Sequence, residues 1–163
     1  MTSSKGKKMA LQKTVNINYA VGVPGDLVNV SDAVYTAVNP IAETDVTAGC
    51  FVCEGTDALK QAKLGGTVPM GIAQRVYQYF NESLTTGATM TIPSGSGLSV
   101  IVKGYVYVKT TTAATVGQKV YAVLADGTIK TDATGQTISG AVETDWVVKT
   151  AGSANDTIVI GNW

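Results

Sequence analysis

The chain has few residues that could do chemistry, and the most suggestive of them form the motif Cys50-Phe-Val-Cys53. This spacing occurs in redox pairs and in half of a zinc site. A redox pair needs a helix N-terminus to lower a thiol pKa, but this segment has the pattern of a strand, which turns residues i and i+3 to opposite faces. The sequence has no histidine and no third cysteine to complete a zinc site. We therefore predict that both cysteines are small buried side chains, with no metal and no cofactor.

The 12 acidic residues are the next candidates, because a pair of carboxylates could support glycosidase or metal chemistry. Most of them fall in turns rich in glycine and threonine, where aspartate stabilises the turn itself. A serine or threonine nucleophile needs a base, and without histidine only lysine could serve. No Ser-x-x-Lys motif supports that alternative. We predict no catalytic residue and no enzymatic activity.

The composition predicts a β-protein. Among the 163 residues there are 22 Val, 22 Thr and 9 Ile, so 53 are β-branched, whereas Leu occurs only 7 times. β-branched side chains favour pleated strands over helices. Charged residues make up 15% of the chain, below the usual quarter. These values exclude a helical bundle, a coiled coil and a collagen-like chain.

The charge pattern limits the partners. There are 12 basic and 12 acidic residues, and the one basic cluster is Lys5, Lys7 and Lys8. Nucleic-acid binding depends on a clustered basic surface, so we expect no nucleic-acid partner. No run of apolar residues suits a secretory signal or a membrane span, so we expect no membrane partner and synthesis in a reducing cytoplasm.

The chain divides into four parts by composition. Residues 1–8 are a polar, basic leader that we expect to be disordered, and residues 9–33 form an extended N-terminal arm. Residues 34–97 and 98–163 follow as a first and a second β module. The predicted fold class is therefore all-β, with an extended N-terminal arm followed by two small antiparallel β-barrel or sandwich-like modules.

Residues 98–109 have the clearest strand pattern in the chain. Leu98, Val100, Val102, Val106 and Val108 alternate with a second row of side chains, so the first row is expected to face a core. The second row is Ile101, Lys103, Tyr105, Tyr107 and Lys109. Gly104 interrupts the strand and predicts a bulge or a close backbone approach.

Two hairpins are predicted around turn sequences. One has Pro93–Gly97 at its tip, between strands at 88–92 and 98–109. The other has Asp126-Gly127 at its tip, between strands at 118–125 and 128–132. Further short strands are expected at 46–55, 68–80, 136–143, 145–150 and 157–160.

A weak internal repeat aligns Gly49 and Gly71 with Gly117 and Gly140. It predicts two copies of one small antiparallel unit. In this alignment residues 58–62 form a strand, although their propensity and the following Gly65-Gly66 favour a capped helical turn.

Two groups of apolar residues are candidates for contacts. The arm carries too many apolar residues for a solvated tail, and those expected to touch another surface are Leu11, Val15, Ile17, Tyr19, Val21 and Leu27. The alternative is that the arm packs onto its own body as an edge strand. Tyr105, Tyr107 and Trp146 are either core residues or contacts between copies, since Tyr and Trp are common interface anchors.

Several segments resemble the capsid cement, or head decoration, proteins of tailed bacteriophages. They are Met9-Ala-Leu-Gln-Lys-Thr-Val-Asn-Ile17, Pro24-Gly-Asp-Leu-Val28, Val102-Lys-Gly-Tyr-Val-Tyr-Val108, Val116-Gly-Gln-Lys-Val-Tyr-Ala-Val-Leu-Ala-Asp-Gly-Thr-Ile129 and Ile138-Ser-Gly-Ala-Val-Glu143. The resemblance implies a structural protein of the virion that binds the outer capsid surface, bridges major capsid subunits and resists the pressure of packaged DNA. Its implied partners are the major capsid protein and further copies of itself, as a trimer or, alternatively, a dimer.

Two other classes remain open at this stage. A carbohydrate-binding β module of a phage fibre or another surface structure would need an exposed aromatic platform, for which Tyr105, Tyr107 and Trp146 are the candidates. A hydrolase would need the histidine or the paired carboxylates for which the sequence shows no motif.

Overall fold

The computed structural model describes residues 21–76 and 90–163, and these residues form strands joined by turns. Within them there is no α-helix, only one 3-10 turn at Val30–Asp32. The all-β prediction is confirmed. The strands are β1 (Val34–Tyr35), β2 (Ile41–Ala42), β3 (Val46–Thr47), β4 (Phe51–Glu54), β5 (Gln61–Lys63), β6 (Pro69–Ala73), β7 (Thr91–Ile92), β8 (Val100–Lys109), β9 (Lys119–Val123), β10 (Ile129–Asp132), β11 (Ala141–Val148) and β12 (Thr157–Asn162).

One ten-stranded sheet runs through both halves of the chain. Its strand order is β10-β9-β11-β12-β8-β6-β4-β5-β2, and β1 pairs with β8 beside this path. The β2–β5 pair is parallel and the other pairs are antiparallel. Among the described residues the first and last strands of this path, β10 and β2, do not pair with each other, so the sheet is not closed. The predicted arrangement of two separate barrel- or sandwich-like modules is therefore not confirmed.

The internal repeat is confirmed at the level of strand order. In the first half β4 pairs with the next two strands, giving the order β5-β4-β6, and in the second half β9 does the same, giving β10-β9-β11. Gly49 and Gly117 precede the central strands and have similar left-handed conformations, with φ of 80° and 92°. The two halves therefore contain the same three-stranded unit.

The core consists of two clusters of buried side chains that meet at β8. The larger cluster is Phe51, Ile72, Ile101, Val106, Val108, Ala114, Val120, Ala122, Ile129, Trp146, Val148, Ile158 and Ile160. The smaller cluster is Ala42, Val46, Val52, Ala62, Ala73, Ile92, Leu98 and Val100. Each cluster draws mainly on one half of the chain, and β8 contributes to both.

The predicted alternation of β8 is confirmed over its second half, where Val106 and Val108 are buried between the half-exposed Tyr105 and Tyr107. It is wrong for Ile101, which is fully buried in the larger cluster. At this end of the strand both faces are covered, because Val100 packs in the smaller cluster. Gly104 makes the predicted close approach, since a Cβ there would lie 3.2 Å from the Asp32 carbonyl oxygen.

Three other strand predictions need correction. The strand that precedes Pro93–Gly97 is β7, and it pairs with β3 instead of forming a hairpin with β8. The segments 136–143 and 145–150 contribute to one strand, β11, whose register shifts between Glu143 and Val147. The predicted strand 68–80 is shorter, since β6 ends at Ala73, and residues 77–80 lie outside the described part.

For residues 58–62, each of the two alternatives holds in part. A turn forms first, closed by the Gln61 amide donating to the Asp57 carbonyl at 2.7 Å. The strand β5 then begins at Gln61.

Hydrogen bonds of Thr111, Thr112 and Thr131 connect the end of β8 to β10. The Thr111 amide and hydroxyl both donate to the Ile129 carbonyl, at 2.8 and 2.7 Å. The Thr131 amide donates to the hydroxyl of Thr112 at 2.9 Å. The chain that follows β8 is thereby held beside β10, and each such bond contributes about 1 kcal/mol.

The Asp126-Gly127 hairpin forms between β9 and β10 as predicted, and its tip also connects the two halves. The Phe51 amide donates to the Gly127 carbonyl at 2.8 Å, and the Gly66 amide donates to the Leu124 carbonyl at 2.9 Å. Because the backbones are so close, a Cβ on Gly127 would collide with the Phe51 carbonyl oxygen.

We predict that Gly127→Ala destabilises the protein by more than the matched variant Gly140→Ala. Both glycines have left-handed backbones, with φ of 70° and 71°, so alanine costs each variant about 1 kcal/mol of strain. A Cβ on Gly140 meets nothing within 4 Å, whereas the collision at Gly127 adds about 1–3 kcal/mol. Urea unfolding of the two variants measures the difference, and equal losses would contradict docking of the tip.

Candidate interaction site

The part of the arm that the structure describes lies along one edge of β8. The Gly25 amide donates to the Tyr107 carbonyl at 2.8 Å, and the Tyr107 amide donates to the Asp26 carbonyl at 3.0 Å. The Val28 amide donates to the Tyr105 carbonyl at 2.9 Å. Since β12 pairs with the same stretch of β8, the arm occupies the opposite edge.

A turn interrupts this added strand. Leu27 is opposite Val106 and Val34 is opposite Lys103. From Leu27 to Val34 the chain therefore advances by seven residues while β8 advances by three. The four extra residues are accommodated by the 3-10 turn Val30–Asp32, which contacts Gly104. For residues 24–36, the alternative of an edge strand on the protein's own body is therefore the correct one.

The arm is fixed to the body by a close approach of two glycines. A Cβ on Gly25 would lie 3.0 Å from the amide nitrogen of Gly49, and one on Gly49 would lie 2.8 Å from Pro24 Cβ. The Arg75 amide donates to the Gly25 carbonyl at 2.9 Å, and the Arg75 guanidinium lies 3.3 Å from the Asp26 carboxylate. The chain cannot shift along β8 here without breaking these contacts.

The segment from residue 21 to residue 41, which includes this anchor, exposes a series of apolar side chains, which we call the valine band. Its members are Val21, Val23, Val28, Val30, Val34, Tyr35, Val38 and Ile41. They are 8 of the 12 exposed large hydrophobic residues in the described part of the chain, and Val30 is 77% exposed. These residues are close together along the chain, and clustered apolar exposure is typical of a surface that a partner covers.

The predicted arm residues fall into three groups. Val21 is 66% exposed and belongs to the valine band. Leu27 is half-buried and packs against the larger core cluster, so it stabilises the chain's own fold. The remaining four, Leu11, Val15, Ile17 and Tyr19, lie outside the described residues.

The three aromatic candidates occupy different environments. Trp146 is 3% exposed in the larger core cluster, which argues against a contact between copies at this residue. Tyr105 and Tyr107 are half-exposed, and their rings lie close to Gly161 and Gly22. Trp163, which is 67% exposed, was not chosen as a contact candidate from the sequence, because a single terminal aromatic residue has no periodic pattern around it.

Trp146 does not provide an aromatic platform for a carbohydrate, since it is 3% exposed. Trp146 instead lines a cleft of about 330 Å³, together with Val68, Met70, Asp145 and Asn162. No sugar-sized aromatic face opens from the described part of this cleft, because the tryptophan is buried.

The cysteines are free thiols, and the prediction that both are buried is confirmed for Cys53 and wrong for Cys50, which is half-buried. Burial, with a smaller contribution from the Asp126 charge, raises the pKa of Cys50 to about 11. Burial also raises the pKa of Cys53, which is 5% exposed. A redox-active cysteine has the opposite shift. In residues 21–76 and 90–163 no three His, Cys, Asp or Glu side chains are grouped to hold a metal.

The carboxylates that make defined contacts hold loops. Hydrogen bonds from the Thr56 hydroxyl and amide lower the pKa of Glu43, and those from the Gly135 amide and the Thr134 hydroxyl lower the pKa of Glu143. A general acid working near neutral pH needs a raised pKa. These two groups are therefore suited to bind loops as anions.

In the described residues, no helix could span a membrane.

The combined features define a class of protein. An all-β body, carboxylates used to hold loops, unreactive thiols and a long exposed apolar band are typical of a structural component of a larger assembly.

The comparisons identify the assembly. The family model of the XM1 gp53 minor capsid protein matches residues 11–162, and the chain belongs to this family. A solved chain from the structure described as the capsid of Myoviridae phage XM1 has the same fold, with a TM-score of 0.61 at 22% sequence identity. That match covers 94% of this chain and 97% of the other. No curated protein matches the sequence. The protein is thus a phage capsid-associated structural protein.

We predict that the two cysteines are dispensable. The double variant Cys50→Ala/Cys53→Ala should remain folded with a loss of about 1–2 kcal/mol in stability, the cost of small cavities. In the wild type, the reaction of Cys50 with Ellman's reagent should be much slower in the folded than in the unfolded protein, because its raised pKa keeps the thiol protonated. Rapid reaction in the folded state, or stoichiometric zinc by metal analysis, would contradict the structural role.

Proposed function

We propose that the protein is a decoration, or cement, protein that binds the outer surface of the phage head. In this role it bridges neighbouring major capsid subunits and stabilises the shell against the pressure of packaged DNA. It is synthesised in the bacterial host cytoplasm and acts by contact, without enzymatic activity. The family supports the capsid role, and the valine band supports the bridging role.

The valine band is the observation that carries this proposal. Residues 25–28 and 34–36 of this segment are bonded to β8, and Ile41 pairs with β5, so these parts of the band are presented on a fixed backbone. A preorganised surface loses little conformational entropy when a partner covers it. Stabilisation of a shell then follows from binding to the assembled state, which shifts the assembly equilibrium by mass action.

The arm residues before the band extend the proposed contact. We propose that Leu11, Val15, Ile17 and Tyr19 bind the shell or a neighbouring copy. The 12 arm residues before the band, residues 9–20, could span about 40 Å if extended, enough to cross a subunit boundary.

We predict that Val30→Asp weakens capsid binding at least about tenfold, because a carboxylate would be buried against apolar partner atoms. Co-sedimentation with empty expanded capsids measures the affinity. The matched control is Val116→Asp, since Val116 is 65% exposed but lies outside the valine band. A second variant lacking residues 1–20 tests the arm in the same assay. Equal binding by Val30→Asp and the control would refute the role of the band.

We also propose that the protein binds the shell as a trimer over local threefold positions, with a dimer over twofold positions as the alternative. Symmetric sites on a lattice favour symmetric binders. Since Trp146 is in the core, the exposed Trp163 replaces it as the candidate aromatic contact between copies.

Sedimentation equilibrium of the free protein should give the mass of three chains, and Trp163→Ala should shift it toward one chain without unfolding it. Leu59→Ala is the control, since Leu59 is 76% exposed in another part of the chain. A monomeric wild type would refute the oligomer and leave the decoration role intact.

A further inference from the structure

The second half of the chain places four of its five lysines on one face of the sheet. Val106, Val108, Val120, Ala122 and Val148 turn inward into the larger core cluster, so the residues between them face outward. The outward residues include Lys109, Lys119, Lys130 and Lys149, which we call the lysine face. Neither the neutral net charge nor the spacing of these lysines along the chain reveals this arrangement.

The register of the strands brings these lysines together. Lys109 of β8 is opposite Thr157 of β12, and Lys119 of β9 is opposite Val147 of β11. Lys130 of β10 lies opposite Tyr121, and Asp132, two residues further along β10, lies opposite Lys119. Lys149 follows β11, and its Cε lies 2.9 Å from the place of a Cβ on Gly161.

The lysine face lacks internal ion pairs. In the described residues the ion pairs join Lys60 to Asp57, Lys63 to Glu43 and Arg75 to Asp26, and all three lie in the first half of the chain.

Three carboxylates lie on the face, Glu143, Asp132 and the exposed Asp145, and the first two are engaged in other contacts. Glu143 accepts hydrogen bonds from the Tyr121 hydroxyl and the Gly135 amide, and Asp132 accepts one from the Ala133 amide. Four lysines against three carboxylates leave the face with one excess positive charge.

Two tyrosines and Val159 lie on the same face as these lysines. Tyr105 and Tyr107 are opposite Gly161 and Val159 on β12. The Tyr105 ring lies across Gly161, where a Cβ would approach it to 2.7 Å, and the Tyr107 ring lies across Gly22. An apolar centre with a charged rim is the usual anatomy of a protein interface.

We propose that the lysine face binds an acidic protein surface on the shell, an inference that rests on the proposed capsid function. Tyr105 and Tyr107 then contact the shell and not another copy. A protein fits better than a nucleic acid, because residues 21–76 carry six carboxylates against three cations, which would repel a long polyanion.

The test compares two double variants that remove the same charge. Lys109→Gln/Lys149→Gln should weaken capsid binding by about three- to tenfold and reduce its dependence on salt between about 50 and 200 mM. The control, Lys60→Gln/Lys63→Gln, should change binding by less than about twofold, because its lysines belong to local ion pairs. Equal binding by the lysine-face variant and the wild type would overturn the inference while the proposed function stands.

Two soluble probes keep the inference testable if the wild type fails to bind capsids, which would refute the proposed function. Binding to poly-L-glutamate that is lost in Lys109→Gln/Lys149→Gln supports an acidic protein partner. Tighter binding to double-stranded DNA than to poly-L-glutamate identifies a nucleic-acid partner and overturns the inference. Binding to neither probe also overturns it.

Discussion

The structure depends on the pairing of β8 along both of its edges. Over its second half β8 lies between β12 and the arm, and over its first half it lies between β6 and β1. The same strand contributes Val100 to one core cluster and Ile101, Val106 and Val108 to the other. Each half of the chain therefore completes its core with residues of β8, and the hairpin tip at Gly127 adds a second connection between them.

The way in which the arm covers β8 determines what the surface presents. An uninterrupted edge strand would offer a row of unpaired backbone groups to any other chain. Here the 3-10 turn Val30–Asp32 interrupts the edge after Val28, so the segment is a poor template for further strand addition. Its exposed side chains remain available, and recognition by the valine band relies on side-chain contact with a chosen partner.

Sequence reasoning succeeded where a local pattern fixes the structure. Alternation identified the buried residues of the second half of β8, and the Asp126-Gly127 turn and the repeated glycines identified the hairpin and the two three-stranded units. It failed where a distant segment decides the environment. The pairing of β7 with β3 and the burial of Ile101 and Trp146 depend on which strands pack over them.

The candidate surfaces illustrate the same limit. The apolar residues of the arm could be identified from sequence, but Leu27 and Val28 differ only in which side of the added strand they occupy. The lysine face arises from register across β8, β9, β10 and the end of β11, and register is set by strand pairing between segments far apart in the chain.

The position of β8 between distant partners also has a consequence for synthesis on the ribosome. The arm and β1 are translated before β8, so they can cover one of its edges as soon as it emerges. The partner on the other edge, β12, follows roughly 50 residues later, which at bacterial elongation rates is a delay of about 2 to 10 s. During that interval the second half of β8 has one unpaired edge on the nascent chain, with free backbone N–H and C=O groups. The early arm thus leaves a single edge, instead of two, exposed to misassociation with neighbouring chains on the same polysome.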